Sequence, residues 1–543
     1  ALPCEKLRRA TSRPDSIILR NVFGRSDAGP SVATIFVRLS MRAIIAQLAG
    51  ISCYECVAAP SRLRHVRIWC LLRKVENPLV IDRRRFLQSI VAAATTPSIL
   101  QSCASSSGST SAAAGLIEDS RRVLDLAEGL EYRVVSRHGK KMSDGLLVPG
   151  CHDGMAAFPG ADGRIVLVCN HELDFSYWSD GTFGDRYPVG PRKVKRKFYD
   201  EGRGISPGLG GTTTTVYNPA TGKTERQFLS LGGTEVNCAG GPTPWGSWLS
   251  CEECFEDAGR ERVNGTRVVR EQPHGYVFEV SASATGLEKP VPIKAMGRFE
   301  HEACAVHDAT GIVYMTEDRH HSLFYRFIPN VPGKLLEGGR LQALAVVDEP
   351  SLPTHNWTVD HEVPLRQPLN TYWIDLDDVD PAENDLRLRG AESGAAMFAR
   401  GEGLCAAGDR MAFTCTIGGP ARLGQVFTYK PSPFEGAREE VNAPGKLELI
   451  AEADKTSLLR NADNLTMAPW GDLIVCEDTA GNNGLIGVRP DGSQYEIANN
   501  GHSKSELAGV CFSPDGETLF VNIQYPGMTV AITGDWNKAG FLR

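Results

Sequence analysis

The sequence predicts an all-β fold, a six-bladed β-propeller with long inserted loops. Gly (56 residues) and Pro (32 residues) separate short apolar runs along the chain, a pattern that is typical of β-rich proteins. From residue 150 onward, one hairpin pattern also recurs six times, which is the signature of a propeller. An all-β sandwich would be equally rich in strands and turns, but it would not explain six copies of one hairpin.

Each copy begins with a polar or acidic residue and contains two short apolar strands joined by a turn with Gly or Asp. The second strand usually ends on another polar or acidic residue. The average spacing exceeds the ~40–50 residues of compact propeller repeats, so we expect long inserted loops, with 173–212 and 330–395 as candidates. The propeller is expected to span 126–543. The copies are HDGMAAFPGADGRIVLVCNHE (152–172), NCAGGPTPWGSWLSCEE (237–253), HEACAVHDATGIVYMTED (301–318), RGEGLCAAGDRMAFTCT (400–416), ADNLTMAPWGDLIVCED (462–478) and ELAGVCFSPDGETLFVNIQYPG (506–527).

The two ends of every hairpin should lie at one mouth of the central channel, because a hairpin returns to the side on which it started. Because this many carboxylates in one mouth cannot all be ionised without cations, the pattern predicts a metal cluster. For any single residue, capping a strand or pairing with a basic residue of the rim is the alternative. The residues concerned are His152, Asp153, Asn170, Glu172, Asn237, Cys238, Glu252, Glu253, His301, Glu302, Glu317, Asp318, Arg400, Glu402, Asp463, Asn464, Glu477, Asp478, Glu506 and Gln524.

The stretch CEEC (251–254) offers both cysteines and glutamates as ligands. Four copies carry a cysteine at the place of Cys251, where a buried thiol packs well, and three of these four have no second cysteine three residues later. We therefore predict that Glu252 and Glu253 are the functional pair, and Cys254 has no assigned role. The aligned cysteines are Cys169, Cys251, Cys415 and Cys476.

Cys238 differs from these cysteines, because it precedes its strand inside a Gly-rich turn on the channel side. A thiolate that is exposed among carboxylates would suit a softer metal such as iron. The alternative is another buried thiol that only packs.

Residues 81–103 are predicted to be an export signal. Arg83 and Arg84, followed by a weakly apolar stretch that is too short to span a bilayer, resemble a twin-arginine signal. The sequence LQSC, which ends at Cys103, resembles a lipobox and predicts a membrane-attached lipid on that cysteine. A plain cleaved signal with an incidental cysteine is the alternative.

The signal implies how the flanking segments are used. Residues 1–80 would precede it, so we predict that they result from a start set too early and are absent from the mature protein. Residues 104–125 contain a Ser-, Ala- and Gly-rich stretch and are predicted to be a flexible linker. We expect the twin-arginine export machinery as a partner, a periplasmic or cell-surface location, and a monomer.

The charge of the chain is unevenly distributed. The first 103 residues hold 16 Lys+Arg and 6 Asp+Glu, whereas the rest hold 42 Lys+Arg and 59 Asp+Glu. An acidic body argues against nucleic-acid binding and fits a protein that holds hard cations through carboxylates.

Five motifs in the repeats are specific enough to compare with known families. They are NCAGGxTPWGxWLxCEE (237–253), NHE (170–172), GRFxHEx (297–303), RxEG (400–403) and QxPG (524–527). They resemble the PhoX family of alkaline phosphatases, from about residue 130 to the C-terminus. The resemblance implies a six-bladed propeller that hydrolyses phosphate esters, with calcium (Ca²⁺) and iron (Fe³⁺) ions clustered at one channel mouth, and export by the twin-arginine route.

The resemblance also implies roles for individual residues. Cys238 would be the thiolate ligand of iron, Arg400 would clamp the phosphate, and Asn170 would lie beside it. From the mouth we also predict Glu172 and Asp478 as metal ligands. The carboxylates that the resemblance assigns as ligands of iron or calcium are Glu252, Glu253, Glu302 and Glu402.

One position departs from the family pattern. The closing motif is usually QHPG, whereas this chain has Tyr525 in place of the histidine. A role that the family gives to this histidine is therefore not carried over to this chain.

Two other functions remain open at this stage. A calcium-dependent lactonase or arylesterase propeller would use a single calcium held by Glu, Asn and Asp, and it would need neither a thiolate at Cys238 nor a clamp at Arg400. A lipid-anchored binding propeller would hold metals only structurally and would turn over no ester.

Overall fold

The computed structural model describes residues 115–358 and 362–541. The predictions for residues 1–80 and for the export signal 81–103 lie outside these residues. None of the helices in the described ranges is long and apolar enough to cross a lipid bilayer.

The folded part begins inside the predicted linker 104–125. Residues 104–114 lie outside the described ranges, but Ile117 forms a bridge with Leu126, and Leu124 pairs with Asn500 of a neighbouring strand. The linker prediction therefore does not extend over the residues from 117 onward.

The described residues are dominated by β-strands, with short helices in the connections. The helices are α1 (Arg192–Lys195), α2 (Leu386–Glu392) and the 3-10 helices Ala161–Gly163, Phe175–Asp180, Gly184–Arg186, Gly202–Gly204, Lys294–Met296, Leu335–Glu337 and Arg438–Asn442. The strands are β1 (Leu124–Leu126), β2 (Leu130–Arg137), β3 (His152–Pro159), β4 (Ile165–His171), β5 (Gly210–Asn218), β6 (Lys223–Thr234), β7 (Asn237–Pro242), β8 (Ser247–Glu252), β9 (Gly259–Val263), β10 (Thr266–Arg270), β11 (Val277–Ser281), β12 (His301–Val306), β13 (Val313–Glu317), β14 (His320–Ser322), β15 (Tyr325–Pro329), β16 (Gly339–Val346), β17 (Leu369–Asp375), β18 (Phe398–Ala399), β19 (Gly401–Ala407), β20 (Arg410–Cys415), β21 (Gln425–Lys430), β22 (Lys446–Glu452), β23 (Ala462–Met467), β24 (Leu473–Glu477), β25 (Gly484–Val488), β26 (Gln494–Asn500), β27 (Leu507–Phe512), β28 (Leu519–Ile523) and β29 (Met528–Gly534).

All six predicted hairpins are present as antiparallel pairs: β3–β4, β7–β8, β12–β13, β19–β20, β23–β24 and β27–β28. Within the described residues they belong to four sheets of at least four strands and one sheet of three strands. The arrangement is all-β and propeller-like. The hairpins do not correspond to six separate sheets, because β12–β13 and β19–β20 lie in one nine-stranded sheet with the order β12-β13-β15-β16-β17-β22-β21-β20-β19.

The nine-stranded sheet results from a strand in the region that we predicted to be inserted loop. Strand β17 pairs with β16 over Thr371–Asp375 and with β22 at Leu369 and Asn370, so it connects two hairpins. The loop prediction for 330–395 is therefore wrong for β16, β17 and α2. The many Gly, Pro and charged residues around the apolar run LQALAVV (341–347) concealed a regular strand.

The first strands of the six hairpins form a closed ring. Each contacts the first strand of the next hairpin in chain order, and β27 contacts β3. In every hairpin the register shifts near the open end, so that two residues of the first strand lie opposite one residue of the second. Such a β-bulge bends the strand and re-aims its side chains. The first residues of the six bulges are Asp153, Cys238, Glu302, Glu402, Asp463 and Gly509.

The core consists of clusters of apolar side chains from neighbouring hairpins. In the largest aromatic group, Phe324 stacks on Phe413 with ring centroids 4.4 Å apart, and Phe413 stacks on Phe427 at 5.4 Å. Burying such rings removes large apolar areas from water, and each stacked pair adds about 1 kcal/mol. This packing fixes the strands whose ends carry the polar residues of the mouth.

Candidate metal centre

Five of the six bulges present an acidic side chain or a cysteine, and all five belong to clusters that could hold a metal ion. In each cluster one ligand atom per residue lies within 4.8 Å of the others. Glu172 belongs to two clusters and so connects them. The clusters are Glu302, Glu402 and Asp463; Glu172, Cys238 and Glu253; and Asp153, Glu172 and Glu506. The predicted convergence of the hairpin ends is therefore confirmed for these residues.

The adjacent glutamates Glu252 and Glu253 have different environments, because successive side chains of a strand point to opposite sides. Glu253 belongs to a metal cluster. Glu252 is fully buried, and its carboxylate accepts bonds from the backbone N–H groups of Gly275 at 2.8 Å and Tyr276 at 3.2 Å. Its other oxygen lies 2.6 Å from Nδ1 of His274. The prediction that Glu252 is a metal ligand is wrong, because protein donors occupy both oxygens.

Two further pairs of adjacent carboxylates, Glu317–Asp318 and Glu477–Asp478, also have a first member that accepts hydrogen bonds from the protein. Glu317 accepts a hydrogen bond from the hydroxyl of Tyr325 at 2.8 Å, and Asp318 follows it. Glu477 accepts hydrogen bonds from the N–H groups of Arg460 at 2.8 Å and Gly484 at 3.0 Å. Burial raises the pKa of both glutamates to about 7. The first carboxylate of each pair thus connects parts of its own sheet.

Asp478, which follows Glu477, lies at the edge of the metal clusters. Its charge contributes to raising the pKa values of Glu402 and Asp463, after the larger effect of burial. It is not a member of the three clusters, so its predicted role as a ligand stays a prediction.

The carboxylates of the mouth repel one another. Burial raises the pKa of Glu302 well above its usual range, and the charges of Glu402 and Glu253 raise it further. The pKa values of Glu253, Glu402 and Asp463 are raised in the same direction, also with burial as the largest cause. Among the described residues, neither carboxylate oxygen of Glu302 has a hydrogen-bond partner. Buried carboxylate oxygens without donors fit bound cations.

Cys238 lies among these carboxylates but is buried, with 8% of its surface exposed, and the prediction of an exposed thiolate is wrong in that respect. The bulge turns the residue into the ring rather than towards solvent. Burial and the neighbouring charges of Asp153 and Glu302 raise the pKa of its thiol well above the usual value. A nearby cation would reverse this effect and favour the thiolate.

Arg400 is the cation that contacts this acidic cluster most closely. Its Nε and Nη2 atoms donate to the two carboxylate oxygens of Asp318 at 2.7 and 2.6 Å. Nη2 also lies 2.7 Å from a carboxylate oxygen of Glu402. The side chain is 28% exposed, so it faces the mouth while one edge of its guanidinium holds two acidic residues in place.

Asn170 does not face the mouth. Its Nδ2 donates to the carbonyl oxygens of Cys238 at 3.1 Å and Ala239 at 2.7 Å, and its Oδ1 accepts from Trp248 at 2.8 Å and Ser250 at 2.9 Å. The residue is fully buried and uses its whole hydrogen-bonding capacity. The predicted catalytic role of Asn170 is therefore wrong. The side chain fixes the backbone that carries Cys238.

Asp153, Asp463 and Glu506 were placed in the mouth by the sequence but were not selected as ligands. In the structure all three belong to the metal clusters. Asp153 and Asp463 occupy the same bulge position as Cys238, Glu302 and Glu402. That shared position in the hairpin was the signal that could have identified these two residues, and no comparable signal marks Glu506.

The remaining cysteines and Tyr525 have simple environments. All ten cysteines between residues 115 and 541 are free, and the four aligned ones are buried, as predicted. Cys251 packs against Cys304 with 3.3 Å between the sulfur atoms, and Cys254 is buried near the carbonyl of Glu235. Tyr525 is 47% exposed, and its ring lies 6.1 Å from that of Tyr177.

The comparisons with known proteins agree with this site. A sequence model of alkaline phosphatase PhoX matches residues 112–527. The chain belongs to the PhoX family of alkaline phosphatases, metal-dependent enzymes that hydrolyse phosphate esters. No curated protein matches the chain.

Among solved structures, Pseudomonas fluorescens PhoX in complex with vanadate, a transition state analogue, is similar in fold, with a TM-score of 0.56. The two are 19% identical, over 76% of this chain and 96% of that chain. Two weaker similarities do not bear on function. They are a Xanthomonas campestris gluconolactonase (11% identity, 78% and 98% coverage, TM-score 0.33) and Staphylococcus aureus virginiamycin B lyase (9% identity, 74% and 98% coverage, TM-score 0.32).

Proposed function

We propose that the chain hydrolyses phosphate monoesters at this mouth, with Ca²⁺ and Fe³⁺ as its metal ions and inorganic phosphate as a product. The observation that carries the proposal is the set of clusters formed by the bulge residues beside Arg400. Hydrolysis of a phosphate ester requires that the negative charge of the phosphate is neutralised. The acidic mouth would repel phosphate unless cations were bound there.

The donor sets suggest how two kinds of metal divide the site. The cluster of Glu172, Cys238 and Glu253 contains the sulfur atom that suits iron. The other two clusters offer only carboxylate oxygens, which suit calcium. Bound metals of this kind supply Lewis acidity and favour an activated oxygen nucleophile.

The protein side chains bind and orient the phosphate. We assign Arg400 as the phosphate-binding cation, because a guanidinium binds phosphate oxygens with paired hydrogen bonds. Asp318 and Glu402 hold the guanidinium in one orientation, so that the two remaining donors on its Nη1 are preorganised. Asn170 fixes the Cys238 backbone from behind and does not touch the substrate.

For the architecture, we propose that the closed ring of first strands is the centre of a six-bladed propeller. In this interpretation β17 joins two blades at their outer edges, and each blade contributes one bulge to the mouth. The support is that β27 contacts β3 and so closes the ring after six hairpins.

For the location, we propose export through the twin-arginine machinery to the periplasm or cell surface, with a lipid on Cys103 and a monomeric state. The support is the sequence of residues 82–103. Replacing Arg83 and Arg84 with lysine should leave the protein in the cytoplasmic fraction. Unchanged export of that variant would contradict the proposal.

The proposed reaction is tested with a chromogenic phosphate monoester, with and without calcium and a calcium chelator, on the purified protein and on Arg400→Ala. We expect calcium-dependent turnover, bound iron, and a fall in kcat/KM of at least about 100-fold in Arg400→Ala. Bound metal without turnover of the ester would overturn the proposal and would direct the search to lactones and other esters.

A further inference from the structure

A wall of aromatic and cationic side chains lies beside Arg400. His321 and Arg422 are its exposed members, whereas Trp357 is half-buried and His355 is buried. Strand β14 begins with His320, which pairs with Ala399, the residue before Arg400. On the other side, the N–H of Thr416 donates to the carbonyl of Arg400 at 3.0 Å. The indole N–H of Trp357 donates to the carbonyl of the next residue, Ile417, at 2.7 Å. Backbone contacts of Arg400 and its neighbours thus position these side chains.

The centre of the wall is a stack of three side chains. The rings of His355 and Trp357 are nearly parallel, with centroids 4.0 Å apart and planes inclined by 17°. The guanidinium carbon of Arg422 lies 4.3 Å from the centroid of Trp357. Two groups at these distances cannot share one face of the indole, so Trp357 lies between His355 and Arg422. We call these three residues the aromatic stack.

His321 closes the edge of the aromatic stack. Its ring lies 5.3 Å from the centroids of both His355 and Trp357, in edge-to-face orientation. The side chain is exposed, as is that of Arg422. The wall therefore presents planar groups to solvent next to a mouth that is otherwise acidic.

Arg422 has no ion pair or side-chain hydrogen bond among the described residues. Arg400, by contrast, contacts two carboxylates. The Arg422 guanidinium lies over the indole, and the Arg422 side chain is exposed. Guanidinium planes stack on aromatic rings, including nucleobases.

The backbone around the wall is in a conformation that side chains other than glycine rarely adopt. Its φ angles are 57° at His321, 52° at Asn356, 55° at Arg400 and 56° at Arg422. Four such residues on four segments indicate that the local structure holds these side chains against a conformational preference. Strain of this kind concentrates at functional sites.

We propose that the aromatic stack is a leaving-group subsite that binds the planar aromatic or heteroaromatic part of the substrate, which makes nucleoside and aryl phosphates the preferred esters. This inference rests on the proposed phosphatase function. When Arg400 holds the phosphate, an aromatic group of the ester lies on the outer face of Arg422. The same wall offers no comparable contact to a small aliphatic alcohol.

The test compares adenosine 5′-monophosphate with ribose 5-phosphate, which share the same ester oxygen and differ at C1′, where the base replaces a hydroxyl group. We expect kcat/KM of the wild-type protein to be about tenfold higher for the nucleotide, as stacking of one base provides. In Arg422→Ala this preference should disappear, because kcat/KM falls more for the nucleotide than for ribose 5-phosphate. Arg410→Ala, at the opposite end of the β19–β20 hairpin, is the control and should keep the preference.

Arg422→Lys separates stacking from charge, because lysine keeps the charge and lacks the planar group. We expect it to behave like Arg422→Ala. A wild-type ratio near one, or a lysine variant that keeps the full preference, would overturn the inference. If neither ester is hydrolysed, the proposed function fails instead. Calorimetric binding of the two compounds to the same variants then tests the subsite, and equal affinities would overturn it.

Discussion

Neighbouring carboxylates at the ends of the second strands differ in what neutralises them. Glu252 receives backbone N–H groups and a histidine, whereas Glu253 faces other carboxylates and Cys238. The first type stabilises the fold without any bound metal ion. The second type stabilises the fold only when a cation is bound, and this makes it suitable for metal binding. Glu252 and Glu253 are the pair that shows this difference. In the pairs Glu317–Asp318 and Glu477–Asp478 the first carboxylate is also held by protein donors, but Asp318 is neutralised by Arg400 and Asp478 lies outside the three metal clusters.

The largest effect on activity is expected when a carboxylate of a metal cluster is replaced. Glu302→Gln removes a charged oxygen from the cluster with Glu402 and Asp463, so kcat/KM for a phosphate monoester should fall by at least about 1000-fold, more than loss of an outer-shell partner costs. The metal content per chain should fall, while the metal-free protein should unfold at the same temperature or higher. The exposed Glu225→Gln is the control. Normal metal content in Glu302→Gln would show that this cluster binds no ion.

Replacing a carboxylate that is held by protein donors should lower stability and leave the metal content unchanged. Glu252→Gln removes a charge from the bonds to His274, Gly275 and Tyr276, and loss of one partner of a buried pair costs on the order of 3 kcal/mol. Chemical denaturation of the chelated protein should show this loss in the free energy of unfolding, with metal content preserved in the untreated protein. If metal is lost and stability is unchanged, Glu252 is a ligand after all.

The structural network also predicts a pH dependence. Burial by itself would lower the pKa of His274, but the carboxylates of Glu252, Glu235 and Asp200 raise it to about 10. A histidine with a raised pKa contributes stability that is fully present below its unfolded pKa of about 6.5 and is lost as the pH rises through the folded value. The free energy of unfolding should therefore fall by on the order of 3 kcal/mol between about pH 7 and pH 10.

His274→Gln should abolish that pH dependence. The control is His301→Gln, because burial lowers the pKa of His301 to about 3 and its charge does not change in this range. A slope that survives in His274→Gln would assign the effect to another group.

The smallest effect is expected at Tyr525, where the family usually has histidine. The side chain is 47% exposed, and none of the three metal clusters includes it. Tyr525→His should change kcat/KM by no more than about threefold and stability by less than about 0.5 kcal/mol. A large gain in kcat/KM would mean that the tyrosine limits the hydrolytic activity of this protein.

The sequence predicted the six hairpins and the acidic mouth because both depend on a pattern that repeats along the chain. It could not separate Glu252 from Glu253, because adjacent carboxylates look alike until the strand register decides which one faces the ring. The roles of Asn170 and of the nine-stranded sheet depend on contacts between distant segments. Asn170, for example, bonds residues on β7 and β8, and such long-range contacts leave no periodic signal in the sequence.

The central claim is that the bulge residues hold metal ions. Anomalous diffraction from crystals of the active protein, recorded at and below the iron absorption edge, tests it directly. The account predicts an iron peak within bonding distance of Sγ of Cys238, about 2.3 Å, and lighter peaks beside Glu302 and Asp153. A map without peaks at the mouth, or with its peak between Glu252 and His274, would contradict it.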